Sequence, residues 1–105
     1  MRKQYDVTLF VKGNSIEYMD WTDTDCIEVL GNHGLLFAEE RGDGAWKDDV
    51  ANRRFFYLFG KQNFDFSGLK QALNDNIKQC GFENLHIEKI AVWTLQDRDK
   101  PYFEG

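Results

Sequence analysis

Residues 13 to 34 read GNSIEYMDWTDTDCIEVLGNHG, an acidic stretch with a glycine at each end. Gly13-Asn14 has the backbone freedom of a two-residue hairpin turn. Before it, Tyr5, Val7, Leu9 and Val11 alternate with Asp6, Thr8 and Lys12, the period of a strand with one buried face. A hairpin at Gly13-Asn14 sets Val11 opposite Ile16 and Leu9 opposite Tyr18, both good cross-strand pairs. The same register carries Asp20 to the apolar face opposite Val7, so the second strand is expected to bulge or end near Met19. After it, the loop Gly31-Asn32-His33-Gly34 reads as a second hairpin, with Val29 facing Leu36 and Ile27 facing Ala38.

Working outward, Arg41-Gly42-Asp43-Gly44 opens a polar stretch expected to form a mobile loop over 42–52, and RRFFYLF at 53–59 returns as an aromatic strand. Leu69, Ala72, Leu73, Ile77 and Cys80 recur at helical spacing. Asp65 or Ser67 can cap the start, and Gly81 sits where a left-handed stop residue belongs. Phe82 then folds back onto Ile77. Leu85 to Leu95 is apolar on both faces from Ile90 to Val92, which predicts a strand inside the sheet. The fold class that follows is α+β: an antiparallel sheet of about five to six strands with one helix, at about 67–80, packed on one face. The element order is β-β-β-β-β-α-β, two N-terminal hairpins included. The chain is expected to be a single domain over 1–105, with a tail at 97–105 whose Tyr102 and Phe103 dock back on the domain, pack in a dimer, or meet a partner.

Composition removes several classes. At 42% hydrophobic and 15% aromatic, the 105 residues can build a core without disulfides or metal, so disorder of the whole chain is excluded. No stretch approaches the roughly 20 apolar residues of a membrane helix, and no cleaved signal is expected. Cys26 and Cys80 have no C-x-x-C spacing, which favours reduced thiols and a cytoplasmic location, with a disulfide between them left open.

No motif names a reaction. The spacings of Cys26, His33, Cys80 and His86 match no zinc ladder. Cys80 beside His86 could form a thiolate and imidazolium pair, but Cys80 belongs to the apolar stripe of its helix and reads as a core thiol. Asp48 and Asp49 beside Arg53 and Arg54 read as a solvated charge run. Asp23 and Asp25 lack the glycine and the final glutamate of a calcium loop, and no phosphate-binding glycine motif occurs. No cofactor or metal is expected. RRFFYLF interleaves arginine with aromatics as a base-stacking platform does, yet a net charge of -5 repels phosphate, so nucleic acid is not the expected direct partner.

Charge distribution carries the functional expectation. Between Lys12 and Arg41 lie 28 residues without Lys or Arg, among them Glu17, Asp20, Asp23, Asp25, Glu28, Glu39 and Glu40. On extended chain the acids from 17 to 28 would stand about 7 to 10 Å apart, comparable to backbone phosphates. Acidic faces often serve solubility alone. Trp21, with Tyr18 and Met19, is what suggests a binding anchor rimmed by charge. The expected function is a non-enzymatic interaction module of inhibitor or immunity type. Glu17, Asp20, Trp21, Asp23, Asp25 and Glu28 would occupy a basic, nucleic-acid-binding site on a partner protein. Two alternatives stand beside it. One is a small enzyme or ligand-binding domain with its pocket between helix and sheet, and the other is a homo-oligomeric accessory subunit.

Overall fold

The computed structural model describes residues 2–40 and 52–105. The element order is β1 (Arg2–Gly13), α1 (Ser15–Trp21), a π-helical turn (Thr22–Cys26), α2 (Ile27–Asn32), β2 (Leu36–Glu40), β3 (Asn52–Lys61), α3 (Leu69–Gln79), β4 (Leu85–Thr94) and β5 (Phe103–Glu104). The five strands form one antiparallel sheet in the order β2-β3-β1-β4-β5. This is the α+β architecture expected. The strand at 53–59, the helix near 67–80 and the inner strand at 85–95 stand where the sequence places them. The loop expected at 42–52 lies outside the described residues, apart from Asn52 at the start of β3.

The two N-terminal hairpins do not form. Residues 15 to 32 run on as one helical segment through α1, the π turn and α2, so among the described residues two helical segments pack on the sheet rather than one. The physical reason lies at both ends. Asn14 is a helix cap: its Oδ1 accepts from the backbone N–H of Ile16 at 2.8 Å and of Glu17 at 3.2 Å, satisfying donors that a helix start leaves orphaned. Gly13 is needed for close approach, because its φ is 135° and a Cβ there would lie 1.7 Å from the Asn84 carbonyl oxygen. At the other end Gly34, at φ 79°, donates to Gly31 O, while Leu35 donates to Leu30 O, both at 2.9 Å. That is the two-bond glycine stop of a helix, and Leu30 and Leu35 are both in the core. α3 ends the same way: Gly81 donates to Lys78 O at 3.0 Å and Phe82 to Ile77 O at 3.1 Å. Phe82 packs against the core, as expected.

The resulting order is β-α-β-β-α-β followed by a short fifth strand, the split β-α-β arrangement called ferredoxin-like. β1 is central. Its partners are β3, with Leu9 opposite Arg54, and β4, with Leu9 opposite Ile90, in place of the Ile16 and Tyr18 of a hairpin. Tyr5, Val7, Leu9 and Val11 face the helical layer and pack with Phe56, Leu58, Ile87, Ile90 and Val92 against Tyr18, Trp21, Leu30, Leu69, Leu73 and Ile77. α3 starts at Leu69 with Gly68 as its cap residue, and neither Asp65 nor Ser67 caps it. Asp65 accepts from the Ser67 N–H at 2.9 Å, a local turn, and that bond holds its carboxyl below the ordinary value.

The tail returns to the domain. Phe103 and Glu104 pair with Val92 and Ala91 of β4, and the Tyr102 hydroxyl donates to Phe64 O at 2.8 Å. Where β5 does not reach, the Asn74 side chain closes the β4 edge, donating to Ile87 O at 2.9 Å and accepting from Ile87 N–H at 2.8 Å.

Candidate functional site

The acids singled out in the sequence share one helical segment. From residue 17 to 28 the axial span is about 16 Å at helical rise, so neighbours at i, i+3 and i, i+4 stand about 5–6 Å apart between Cβ atoms. This replaces the wider spacing expected for extended chain. Asp20, Asp23 and Glu28 are exposed, and Glu17 and Asp25 half-buried. Among the described residues, no ion pair to Lys or Arg involves any of the five; those present join Lys12 to Glu88, Lys89 to Glu104 and Arg98 to Asp6. No basic residue occupies the last turn of α1, the π turn or α2. Like charges at i, i+3 cost a few tenths of a kcal/mol each, and Glu28 late in the segment opposes the helix dipole. One Glu17 carboxylate oxygen, Oε2, is buried with no hydrogen-bond partner among the described residues.

Trp21 is not part of that surface. It is 0% exposed, and its indole N–H donates to Asn76 Oδ1 at 2.8 Å, tying α1 to α3 across the core. The helix turns it inward because Tyr18, Trp21 and Thr22 form one face, whereas a strand could have presented Trp21 to solvent. The apolar groups that accompany the acids outside are Ile16, Met19 and Ile27, at 68%, 60% and 44% exposure. Ile16, Asp20, Asp23 and Ile27 follow at steps of four, three and four residues, which makes one outward stripe of acids between two isoleucines.

The π turn sets the phase of that stripe. Thr22 Oγ1 donates back to Tyr18 O at 2.5 Å and Thr24 Oγ1 to Asp20 O at 3.2 Å, bonds that loosen the helical ladder. The wider turn brings Cys26 into the core and leaves Asp25 half-buried, where an uninterrupted 3.6-residue period from Tyr18 points residue 25 inward.

Neither cysteine is in a disulfide. Cys26 is buried, and Cys80 is exposed at the C-cap of α3, which corrects its expected place in the core stripe. Desolvation, followed by the hydrogen bond and charge of Asp25 and the charge of Glu28, raises the Cys80 pKa above its ordinary value, so the thiol form is favoured there. His33 caps α2, with Nδ1 2.9 Å from Val29 O, and His86 is on β4. Among the described residues, no three His, Cys, Asp or Glu side chains gather as a metal site, and no helix is long and apolar enough to cross a membrane.

A hollow of about 410 Å³ lies on the sheet face opposite the helices, not between helix and sheet. Asp6, Thr8, Phe55, Tyr57, Trp93 and Arg98 contribute to its lining. No protein-family model matches the chain, and no curated protein matches its sequence.

Proposed function

We propose that this protein is a non-enzymatic interaction module. In this reading the outer face of residues 15–32 docks on a basic surface of another protein, including one that holds nucleic acid, and so blocks or neutralises it. The observation that supports it most is the gathering of Glu17, Asp20, Asp23, Asp25 and Glu28 on one helical segment with no Lys or Arg ion pair among the described residues. A structure selected for stability alone would intersperse cations there; the repulsion, uncompensated among the described residues, is a local conflict of the kind found at functional surfaces. Carboxylates steer association and set specificity, while Ile16, Met19 and Ile27, rather than Trp21, supply the apolar contact that slows dissociation. Two cysteines outside any disulfide suit a reducing compartment such as the cytoplasm.

The test is capture of partners from the native host extract by the wild-type chain and by the variant Asp20→Asn, Asp23→Asn, Glu28→Gln. The reading expects basic proteins that are held at low salt, released by about 0.5 M salt, and lost with the variant. Identical captured proteins from both chains, with no dependence on salt, would overturn it.

A further inference from the structure

The two ends of the central strand differ in how their cations are held. At the Gly13 end of β1, Lys12 pairs with Glu88. At the other end Arg2 stands directly across from Lys61 of β3, and Lys3 is next to it. Side chains directly opposed on an antiparallel pair share a face, with Cβ atoms about 4.5–5.5 Å apart, and like charges placed so destabilise it. Among the described residues, no Asp or Glu forms an ion pair with Arg2, Lys3 or Lys61. The acids that follow them in the chain are engaged elsewhere. Asp6 holds Arg98, and Asp65 accepts from the Ser67 N–H at 2.9 Å. Asp97, beyond β4, accepts from the Asp99 N–H at 3.1 Å. The three cations are a local conflict opposite in sign to that of the helical segment, and a bound anion would relieve it.

A recess of about 340 Å³ opens at this end, lined by Arg2, Lys3, Gln4, Gln62, Leu95 and Gln96. It shares no lining residue with the larger hollow. Its chemistry is cations and amides, with one apolar side chain and no aromatic ring. Gln62 and Gln96 make no side-chain hydrogen bond among the described residues, and each amide brings two N–H donors and an acceptor oxygen. A guanidinium forks onto two phosphate oxygens, and an ammonium adds a compact point charge. A phosphate monoester carries about -1.5 to -2 charge at pH 7, so it relieves opposed cations better than a single carboxylate does. Small-molecule sites begin at about 300 Å³, so the recess has room for more than the phosphate group alone. The amides suit hydroxyl groups there. A nucleobase would find no ring to stack on.

We propose that this recess binds the phosphate monoester of a small polyhydroxylated molecule, with Arg2, Lys3 and Lys61 on the phosphate and Gln62 and Gln96 on the hydroxyls. The site is independent of the acidic helical surface, and either can fail without the other.

The experiment is calorimetric titration with ribose 5-phosphate, ribose, inorganic phosphate and adenosine monophosphate in about 50 mM salt, read together with backbone amide chemical shifts. Ribose 5-phosphate is expected to bind, with shifts gathered at residues 2–4, 61–62 and 95–96. Inorganic phosphate should bind more weakly, adenosine monophosphate no more tightly, and ribose not at all. Arg2→Gln with Lys61→Gln, both exposed, should weaken the ester roughly tenfold or more. Gln62→Ala with Gln96→Ala, also exposed, should weaken the ester and leave inorganic phosphate as it was. The proposal is overturned if ribose 5-phosphate does not bind or shifts residues elsewhere. It is equally overturned if inorganic phosphate binds as tightly, if adenosine monophosphate binds more tightly, or if either double variant binds the ester as the wild type does.

Discussion

The helical segment at 15–32 and the helix at 69–79 end in the same way, yet they carry opposite burdens. Each stops at a glycine with positive φ, Gly34 at 79° and Gly81 at 82°, and each returns an apolar residue to the core, Leu35 and Phe82. α3 buries Leu69, Leu73 and Ile77 at steps of four and alternates its charges. The earlier segment buries Tyr18, Trp21, Thr22, Cys26, Val29 and Leu30 with a slip of phase at the π turn, and its charged residues are all acids. A helix whose stability comes from its own regularity can be recognised locally. One that is held by tertiary burial, against its own charge repulsion, does not show in its periodicity and is left to its end signals.

The sharpest way to break this comparison is at Trp21. If the segment depends on its docking, Trp21→Ala should cost about 3–5 kcal/mol in denaturant unfolding, by cavity formation and loss of the bond to Asn76. A loss below about 1 kcal/mol would mean that the segment is not seated on the core as described. Next in size, Gly34→Ala and Gly81→Ala should each cost about 1–2 kcal/mol, and by similar amounts. An added Cβ meets nothing within 4 Å at either site, so only the left-handed backbone is strained. Unequal costs would show that the two stops are not equivalent.

A smaller effect of opposite sign is expected for Asp20→Asn with Asp23→Asn. Removing the repulsion should raise stability by up to about 1 kcal/mol, measured by thermal unfolding, with no gain from Asp75→Asn on α3, where Gln71 donates to the carboxylate at 2.8 Å. The smallest is kinetic. Asp25→Asn should speed alkylation of Cys80 near pH 8, because the carboxylate beside the thiol helps to raise its pKa and a thiolate is the reacting form. An unchanged rate would separate the π turn from α3.

What was legible follows from the same contrast. β1 and α3 repeat their apolar residues at one period throughout, β3 and β4 are short apolar runs, and these elements stand where the sequence predicts them. Between 15 and 32, threonine and aspartate are weak helix formers, and Gly-Asn serves a hairpin turn as readily as a helix cap. Two signals could have decided it. Asn14 precedes Glu17 by three residues, a cap spacing. Leu30, Gly34 and Leu35 repeat the spacing of Ile77, Gly81 and Phe82. The acids could be named from composition alone, but whether Trp21 joins them depends on helix against strand. The hollow was beyond reach for another reason: β1 lies between strands drawn from residues 52–61 and 85–94, and no local pattern reveals that neighbourhood.

The clasp of Asn74 on Ile87 makes the two margins of the sheet unequal. That margin carries only the two-residue β5 and Gly105 on Ile90 beside the clasp, so among the described residues the longer run of edge backbone for an incoming strand is the outer side of β2. With one margin so much shorter than the other, strand addition would favour a pair joined through β2 over continued growth into a fibre.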